Sequence, residues 1–264
     1  ICILANYSEQ FLLSDEERDQ LLEVCLRHVA GRVPVIVTCS HFSTHVAIAR
    51  ARRAAGEGAA MLMMMPPYHG AALRADETGM LEHFSAVAEA IDIPIMVQDA
   101  PLSGVTLTVS FLARLAQELP QVRYFKIETP AAADKLRALI AVGEGVIEGP
   151  FDGEEAITLM ADLEAGATGT MPSAMLPDLI KPVLSDFFDG RRDQARARYA
   201  SILPLINYEN RQCGLRATKT IMQEGGVITS DAVRHPLTVL PPVTRQGLLE
   251  LARELDPVAL RWGH

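Results

Sequence analysis

The sequence predicts an α/β protein, a (β/α)8 barrel with a C-terminal helical extension. Short β-rich apolar runs alternate with amphipathic helical patterns. The strand-plus-helix unit repeats every roughly 20 to 34 residues, close to the roughly 31 residues per unit of an eight-unit barrel. The apolar runs are continuous rather than alternating, which is typical of parallel strands that are buried on both faces.

Seven runs have the composition of buried strands. They are residues 1–5, 33–38, 59–65, 93–98, 122–127, 146–148 and 167–171. Because residue 1 already lies inside the first run, we expect a further strand and helix upstream that complete the eight units. A doubly wound open sheet is the alternative, but residues 5–9 lack the glycine-rich phosphate turn that usually follows its first strand.

Helical patterns separate these runs. They cover residues 14–29, 44–55, 76–91, 110–119, 131–142 and 154–165. Ser14 and Glu17 have the spacing of a capping box. Asp152 is predicted to cap the last of these helices, with Glu154 and Glu155 in its first turn.

After residue 171 the β signal stops. Helical patterns continue at residues 176–188, 192–213, 215–224 and 244–255. The sequence therefore predicts a barrel over residues 1–175, without its first unit, and a helical extension over residues 176–264.

Composition excludes several classes of protein. The 264 residues include 24 basic and 33 acidic side chains, for a formal net charge of −9. Non-specific nucleic-acid binding needs a basic surface, so we expect no nucleic-acid partner. The apolar runs are too short to span a bilayer, and no signal peptide is recognisable at the start, so we expect no membrane association. Four separated cysteines without a CxxC pair favour a reducing cytoplasm.

In a barrel of this kind, chemistry takes place at the carboxyl ends of the strands. Polar and ionisable side chains are frequent there: Asn6, Tyr7, Ser8, Glu9, Ser40, His41, Tyr68, His69, Gln98, Asp99, Lys126, Glu128, Glu148, Thr170 and Ser173. The histidines lack the spacing of a metal site, so no metal is expected.

Lys126 is the most informative of these residues. The chain has four lysines, and Lys135, Lys181 and Lys219 fall in helical patterns where a solvated amine is expected. Lys126 lies in a strand instead. An amine among apolar neighbours has a lowered pKa and can attack a carbonyl carbon to form an imine. The alternative is a lysine that reaches water or forms an ion pair with Glu128.

Two glutamates are candidates for proton transfer. Glu128 follows Lys126 by two residues, so both side chains should point to the same face of the strand. Glu128 is then either a proton relay or the counter-ion of the lysine. Glu155 is either a second catalytic carboxyl or a charge that stabilises a helix N-terminus.

Several segments resemble the dihydrodipicolinate synthase and N-acetylneuraminate lyase family of Schiff-base barrels over essentially the whole chain. Four family motifs correspond to Ala5-Asn6-Tyr7-Ser8-Glu9, Pro66-Pro67-Tyr68-His69, Gln98-Asp99-Ala100-Pro101 and Tyr124-Phe125-Lys126. Gln98 stands where the family has a proton-relaying tyrosine, and an amide does not transfer protons at neutral pH. Another acid or base must therefore replace that tyrosine.

The resemblance implies a hydro-lyase that dehydrates a small 2-keto-3-deoxy acid through an imine on Lys126. Glu128 and Glu155 would be the base and acid, in an order that stays open. Asn6, Tyr7 and Ser8 would hold the substrate carboxylate, and His69, Gln98 and Asp99 its hydroxyls. The resemblance implies no metal or organic cofactor and a homotetramer.

Two other functions stay open. A pyruvate aldolase or synthase on the same scaffold would also use Lys126, although Gln98 counts against it. A non-catalytic sugar-acid binding protein would keep the barrel without needing the lysine and the two glutamates.

Overall fold

Parallel strands form the centre of the first part of the chain. The computed structural model describes residues 1–69, 73–100, 103–143 and 145–263, with only the backbone of His69 and Leu73. Strand bounds are β1 Cys2–Ile3, β2 Ile36–Thr38, β3 Met61–Met64, β4 Tyr68–His69, β5 Leu73–Arg74, β6 Ile95–Asp99, β7 Val122–Ile127 and β8 Gly149–Asp152. Within the described residues, six of them form a parallel sheet in the order β1-β2-β3-β6-β7-β8. The antiparallel pair β4 and β5, which the sequence analysis missed, is separate.

The central strands β3 and β6 are buried on both faces, as their continuous apolar runs predict. Every residue of β6 is buried, and Leu62, Met63 and Met64 of β3 are inaccessible to solvent. Alternate side chains of a strand point to opposite faces. Burial of consecutive residues therefore means that both sides of the sheet are covered in this unit.

The helices of this part follow the strands along the chain and lie close to their predicted positions. They are α1 Asp15–Val29, α2 Thr44–Gly56, α3 Glu77–Ala88, α4 Val109–Glu118 and α5 Ala132–Val142. The Ser14–Glu17 capping box is confirmed in both directions. Asp76 and Thr108 cap α3 and α4 in the same way, by accepting backbone hydrogen bonds.

The region around β8 corrects four predictions. The strand covers Gly149–Asp152 rather than residues 146–148, so Glu148 precedes it. Asp152 is a strand residue and not a helix cap, and helix α6 begins only at Leu159. Residues 167–171 form no continuous strand, but Thr168 N donates to Pro150 O at 2.8 Å and Asp152 N donates to Gly169 O at 3.0 Å, so this segment lies alongside β8.

The chain divides into two compact units. The first consists of Ile1–Gly153 and Glu164–Gly169, and the second of Glu154–Leu163 and Thr170–His264. The boundary at residue 175 stays a prediction. Helices of the second unit are α6 Leu159–Glu164, which ends in the first unit, α7 Pro177–Phe188, α8 Arg192–Tyr208, α9 Arg216–Glu224, α10 Pro242–Leu255 and the unpredicted α11 Val258–Arg261.

Within the second unit, α8 packs against α7 and α10. A π-helical turn, Glu209–Cys213, directly follows the end of α8. No helix in the described part of the chain is both long and apolar enough to cross a bilayer.

Candidate active site

Lys126 lies near the carboxyl end of β7, in the interior of the first unit. Only 7% of the residue is exposed, and its neighbours Phe125 and Ile127 are fully buried. It is in register with Gln98 on β6 and with Phe151 on β8. Hydrogen bonding to strands on both sides fixes the backbone that carries the amine.

The amine of Lys126 has a carboxylate beside it. Lys126 Nζ lies 2.7 Å from Glu128 Oε1, and both side chains are mostly buried. The prediction that they share one face of the strand is confirmed. A carboxylate at this distance can hold the ammonium as a counter-ion and can also take a proton from a group bound to the nitrogen or near it.

Gln98 completes a three-residue cluster. Its Nε2 donates to Glu128 Oε1 at 2.7 Å, and only 1% of the residue is exposed. Gln98 Oε1 has no hydrogen-bond partner among the described residues. A buried acceptor without a partner costs free energy, so this oxygen is suited to accept a hydrogen bond from a bound hydroxyl group.

Gly153 makes room for this cluster. A Cβ at this position would lie 2.6 Å from Glu128 Cγ and 2.7 Å from Lys126 Cγ. The turn after β8 therefore packs directly on the alkyl parts of both side chains, and a larger residue would displace them. Gly153 could not be identified from the sequence, because this contact depends on the pairing of β7 with β8.

A thiol lies within electrostatic reach of the lysine. Cys2 on β1 contacts Thr38 Oγ1 at 3.9 Å. Burial raises the pKa of Cys2, and the positive charge of Lys126 opposes that rise. Within the described chain, Cys2, Cys25, Cys39 and Cys213 are all free cysteines.

Asp99 is on the other face of β6. Its carboxylate is fully buried and lies 2.5 Å from Lys135 Nζ of α5. Burial raises the pKa of Asp99, while Lys135 opposes that rise. The expectation that Lys135 is a solvated amine is wrong, and the substrate contact predicted for Asp99 stays a prediction.

The loop after β1 contains the predicted carboxylate-binding residues. Asn6–Ser8 form a 3-10 turn that ends at Glu9, which has a left-handed φ of 55°. Gln10 Nε2 donates to Asn6 Oδ1 at 2.6 Å and so fixes the orientation of the Asn6 amide. Substrate binding by Asn6, Tyr7 and Ser8 stays a prediction.

The segment after β3 contains Tyr68 and His69, which form the short strand β4. Burial raises the pKa of Tyr68 to about 12, and its ring contacts Phe11 edge to face at 6.3 Å. The side chain of His69 and the whole of Pro101, both in the quoted motifs, lie outside the described residues.

Glu155 belongs to the second unit, in the turn that follows β8. Glu155 and Ala156 both have left-handed φ angles, 46° and 67°, which non-glycine residues adopt at a cost in free energy. The hydroxyl of Tyr199 lies 2.9 Å from Ala156 O and 2.6 Å from Ile157 O and holds this turn. The predicted first helical turn at Glu155 is wrong, and its catalytic role stays a prediction.

Two other predicted strand-end residues have different surroundings. Glu148 accepts hydrogen bonds from Tyr124 at 2.6 Å and Arg123 at 2.7 Å at an exposed position before β8, so it is not a strand-end residue. Ser173 bonds to the buried carboxyl of Glu209 within the second unit. Among the described residues, no group of three His, Cys, Asp or Glu side chains is placed to hold a metal ion.

Comparison with known proteins connects this geometry to a family. Residues 1–256 match the Dihydrodipicolinate synthetase family. The chain is 60% identical over 264 residues to L-2-keto-3-deoxyarabonate dehydratase of Azospirillum brasilense, covering 100% of this chain and 85% of that protein. It is 29% identical over 249 residues to 4-hydroxy-tetrahydrodipicolinate synthase of Thermomicrobium roseum, covering 90% of this chain and 77% of that protein.

Solved structures of this kind share the fold. A putative dihydrodipicolinate synthetase from Pseudomonas aeruginosa superposes with a TM-score of 0.90 at 30% identity, covering 97% of this chain and 87% of that one. Dihydrodipicolinate synthase from Aquifex aeolicus also gives 0.90, at 24% identity, with coverage of 97% and 86%. From its sequence and its fold, the chain belongs to the dihydrodipicolinate synthetase family.

Proposed function

We propose that the protein is a hydro-lyase that converts L-2-keto-3-deoxyarabonate to 2-oxoglutarate semialdehyde, also called 2,5-dioxopentanoate, and water. The reaction would serve non-phosphorylative L-arabinose catabolism. The observation that carries the proposal is the buried cluster of Lys126, Glu128 and Gln98, in which a carboxylate lies 2.7 Å from the amine. The 60% identical dehydratase supports the choice of substrate.

The first step joins the substrate to the enzyme. The nitrogen of Lys126 attacks the C2 ketone, and loss of the carbonyl oxygen as water leaves a protonated imine. The positive nitrogen acidifies the hydrogens on C3. No metal or organic cofactor is required, because the imine itself withdraws the electrons.

The second step removes a C3 proton and the C4 hydroxyl. We assign the proton abstraction to the carboxylate of Glu128, because it lies next to the lysine nitrogen. The electron pair of the C3–H bond forms an enamine, and the hydroxyl leaves as water once an acid protonates it. We assign this acid to Glu155, by resemblance to the family.

The third step forms the product. Moving the new double bond from C3–C4 to C4–C5 by proton transfer gives an enol, which becomes the C5 aldehyde. Hydrolysis of the imine then restores Lys126 and consumes the water that imine formation released. The net change is therefore the loss of one water from the substrate.

We carry the substrate contacts over from the family resemblance. Asn6, Tyr7 and Ser8 would bind the carboxylate through hydroxyl and amide donors, and His69 and the free oxygen of Gln98 would bind hydroxyls. The hydroxyl contact predicted for Asp99 stays a prediction and is not part of the proposal, because its carboxylate pairs with Lys135. We also propose that the sheet is part of an eight-unit barrel with a C-terminal helical extension, that the protein is a homotetramer, and that it is cytoplasmic.

Turnover decides between this reaction and its alternative. Purified protein is incubated with L-2-keto-3-deoxyarabonate and an aldehyde dehydrogenase that oxidises the semialdehyde, and separately with pyruvate and aldehydes. We expect semialdehyde formation and no condensation of pyruvate. Condensation without dehydration would instead make the protein an aldolase or synthase, like the relatives named as synthases.

A further inference from the structure

The second buried lysine and carboxylate, on the far face of β6, connect three elements of the first unit. Lys135 Nζ of α5 lies 2.5 Å from Asp99 Oδ2, at the end of β6. The same amine donates to Leu107 O at 2.5 Å, in the segment that leads into α4. One cation therefore holds the end of β6, the segment before α4 and its own helix α5 together.

The end of β6 also contacts Glu128, through two residues. Gln98 does so through its side chain, at 2.7 Å from Nε2 to Oε1. Asp99 does so through its backbone, because Glu128 N donates to Asp99 O at 3.0 Å. A shift of this strand end would move both contacts and, with them, the carboxylate beside Lys126.

The pair is buried deeply enough to matter for that geometry. Asp99 is 0% exposed, and the side chain of Lys135 is 14% exposed. Removing one partner of a buried ion pair leaves the other charge without compensation, so the surrounding structure rearranges or the charge is lost by protonation. Either outcome removes the ion pair that ties the end of β6 to α5.

We propose that Asp99 and Lys135 are positioning residues for the dehydration, which hold the end of β6 so that Gln98 and Asp99 keep Glu128 in place for proton abstraction. The inference rests on the proposed function, in which Glu128 removes the C3 proton. It assigns no contact with substrate to either residue.

The test separates imine formation from proton abstraction. Lys135→Met is compared with Lys181→Met, which removes an exposed lysine of α7 in the second unit. We expect Lys135→Met to be trapped by borohydride on Lys126 nearly as fast as the parent. Its kcat should fall about 10- to 100-fold with little change in KM, as expected for a displaced catalytic group. Lys181→Met should match the parent in both assays.

A double variant distinguishes the loss of positioning from simple unfolding. Asp99→Asn combined with Lys135→Met removes both buried charges, so it should fold better than Lys135→Met while keeping the low kcat. Equal losses of trapping and kcat in both variants would overturn the proposal, because they would report only a smaller folded fraction. A raised KM with parental kcat in Asp99→Asn would also overturn it, because Asp99 would then bind substrate.

A second probe makes the result independent of the dehydration. Pyruvate forms an imine and an enamine, so its methyl hydrogens exchange with D2O through the same lysine and base. If the parent forms no semialdehyde, the proposed function fails. A selective loss of pyruvate exchange in Lys135→Met would still support the positioning role, and parental exchange in that variant would contradict it.

Discussion

The two faces of β6 each present a lysine and a carboxylate in contact, but in different surroundings. Lys126 and Lys135 have similar side-chain exposure, 9% and 14%, and both lie within 2.7 Å of a carboxylate oxygen. Beside Lys126, the third group is the Gln98 amide, whose oxygen has no hydrogen-bond partner among the described residues. Beside Lys135, the third group is the carbonyl oxygen of Leu107, which accepts a hydrogen bond from the lysine amine.

We propose that this difference separates a reactive pair from a structural pair. Burial and ion pairing alone do not distinguish them, since both lysines have both properties. The Gln98 face retains an unused acceptor for a ligand, whereas the Asp99 face connects neighbouring elements of the fold. The following predictions test that contrast, beginning with the largest expected effect.

Lys126→Met removes the nitrogen that forms the imine. We expect turnover of L-2-keto-3-deoxyarabonate to fall by more than about 10³-fold, as is usual when a nucleophile is removed. Semialdehyde production measures the effect, with Lys181→Met as the matched control. Activity above a tenth of the parent's would show that Lys126 is not the nucleophile.

Glu128→Gln keeps the size of the side chain but removes the base. We expect kcat to fall about 10²- to 10⁴-fold, the range for loss of a general base. Borohydride should still trap the substrate on Lys126. Single-turnover measurements compare the two steps, and a parental rate of proton abstraction would make Glu128 only a counter-ion.

Gly153→Ala places a Cβ against Lys126 and Glu128, at 2.7 Å and 2.6 Å from their Cγ atoms. We expect a loss of about 1–3 kcal/mol in the free energy of unfolding, as for other overpacked sites. The fall in kcat should be larger than the unfolded fraction explains.

Gly56→Ala is the control for this substitution. It lies at the end of α2, where an added Cβ meets no atom within 4 Å. Denaturant titration and kcat should both show little change for Gly56→Ala. Parental stability and kcat in Gly153→Ala would contradict the tight packing of this turn on the cluster.

Glu209 is a buried carboxyl whose partners are the hydroxyl groups of Ser173 and Thr218, whereas Glu128 and Asp99 each pair with a lysine amine. Burial raises its pKa to about 7, from an ordinary value of 4.5. The folded state therefore binds this proton more tightly than the unfolded state, and its stability falls as the pH rises from 4.5 towards 7. Glu209→Gln should abolish this pH-dependent loss in the free energy of unfolding, which is on the order of 3 kcal/mol.

Denaturant titrations of the parent and of Glu209→Gln across this pH range measure the difference. The variant should be more stable than the parent above neutral pH, with little change in kcat because Glu209 has no part in the proposed reaction. Identical pH dependence in the two proteins would contradict the raised pKa.

Much of the Lys126 face follows from the sequence. The bounds of β7 were predicted correctly, and the two-residue period of a strand places Lys126 and Glu128 on one face. Gln98 was identified because it ends the preceding buried strand, and parallel strands bring their carboxyl ends to one edge. Local pattern and strand geometry were sufficient for these contacts.

The Asp99 face was missed, although one signal was present. Buried residues of α5 include Ala132 and Leu139, and Lys135 shares their helical face, three residues after Ala132 and four before Leu139. Lys135 was expected to be solvated because it falls in a helical pattern. The position of the residue on the helix, rather than its chemical type, indicated a buried partner.

The region of β8 was predicted least well, for a tertiary reason. Gly149 and Pro150 are poor strand formers in isolation, yet β7 pairs with this segment and makes it a strand. The same pairing determines where the strand ends, and therefore the positions of Gly153 and Glu155. Neither position follows from local sequence preference.

Borohydride trapping with L-2-keto-3-deoxyarabonate, followed by peptide mass spectrometry, tests the contrast between the two faces most directly. The protein contains four lysines, so each possible adduct falls on a distinct peptide or can be resolved by fragmentation. We predict an adduct on Lys126 alone, with Lys135 unmodified. An adduct on Lys135, or none on Lys126 in an active preparation, would contradict the assignment of Lys126 as the reactive amine.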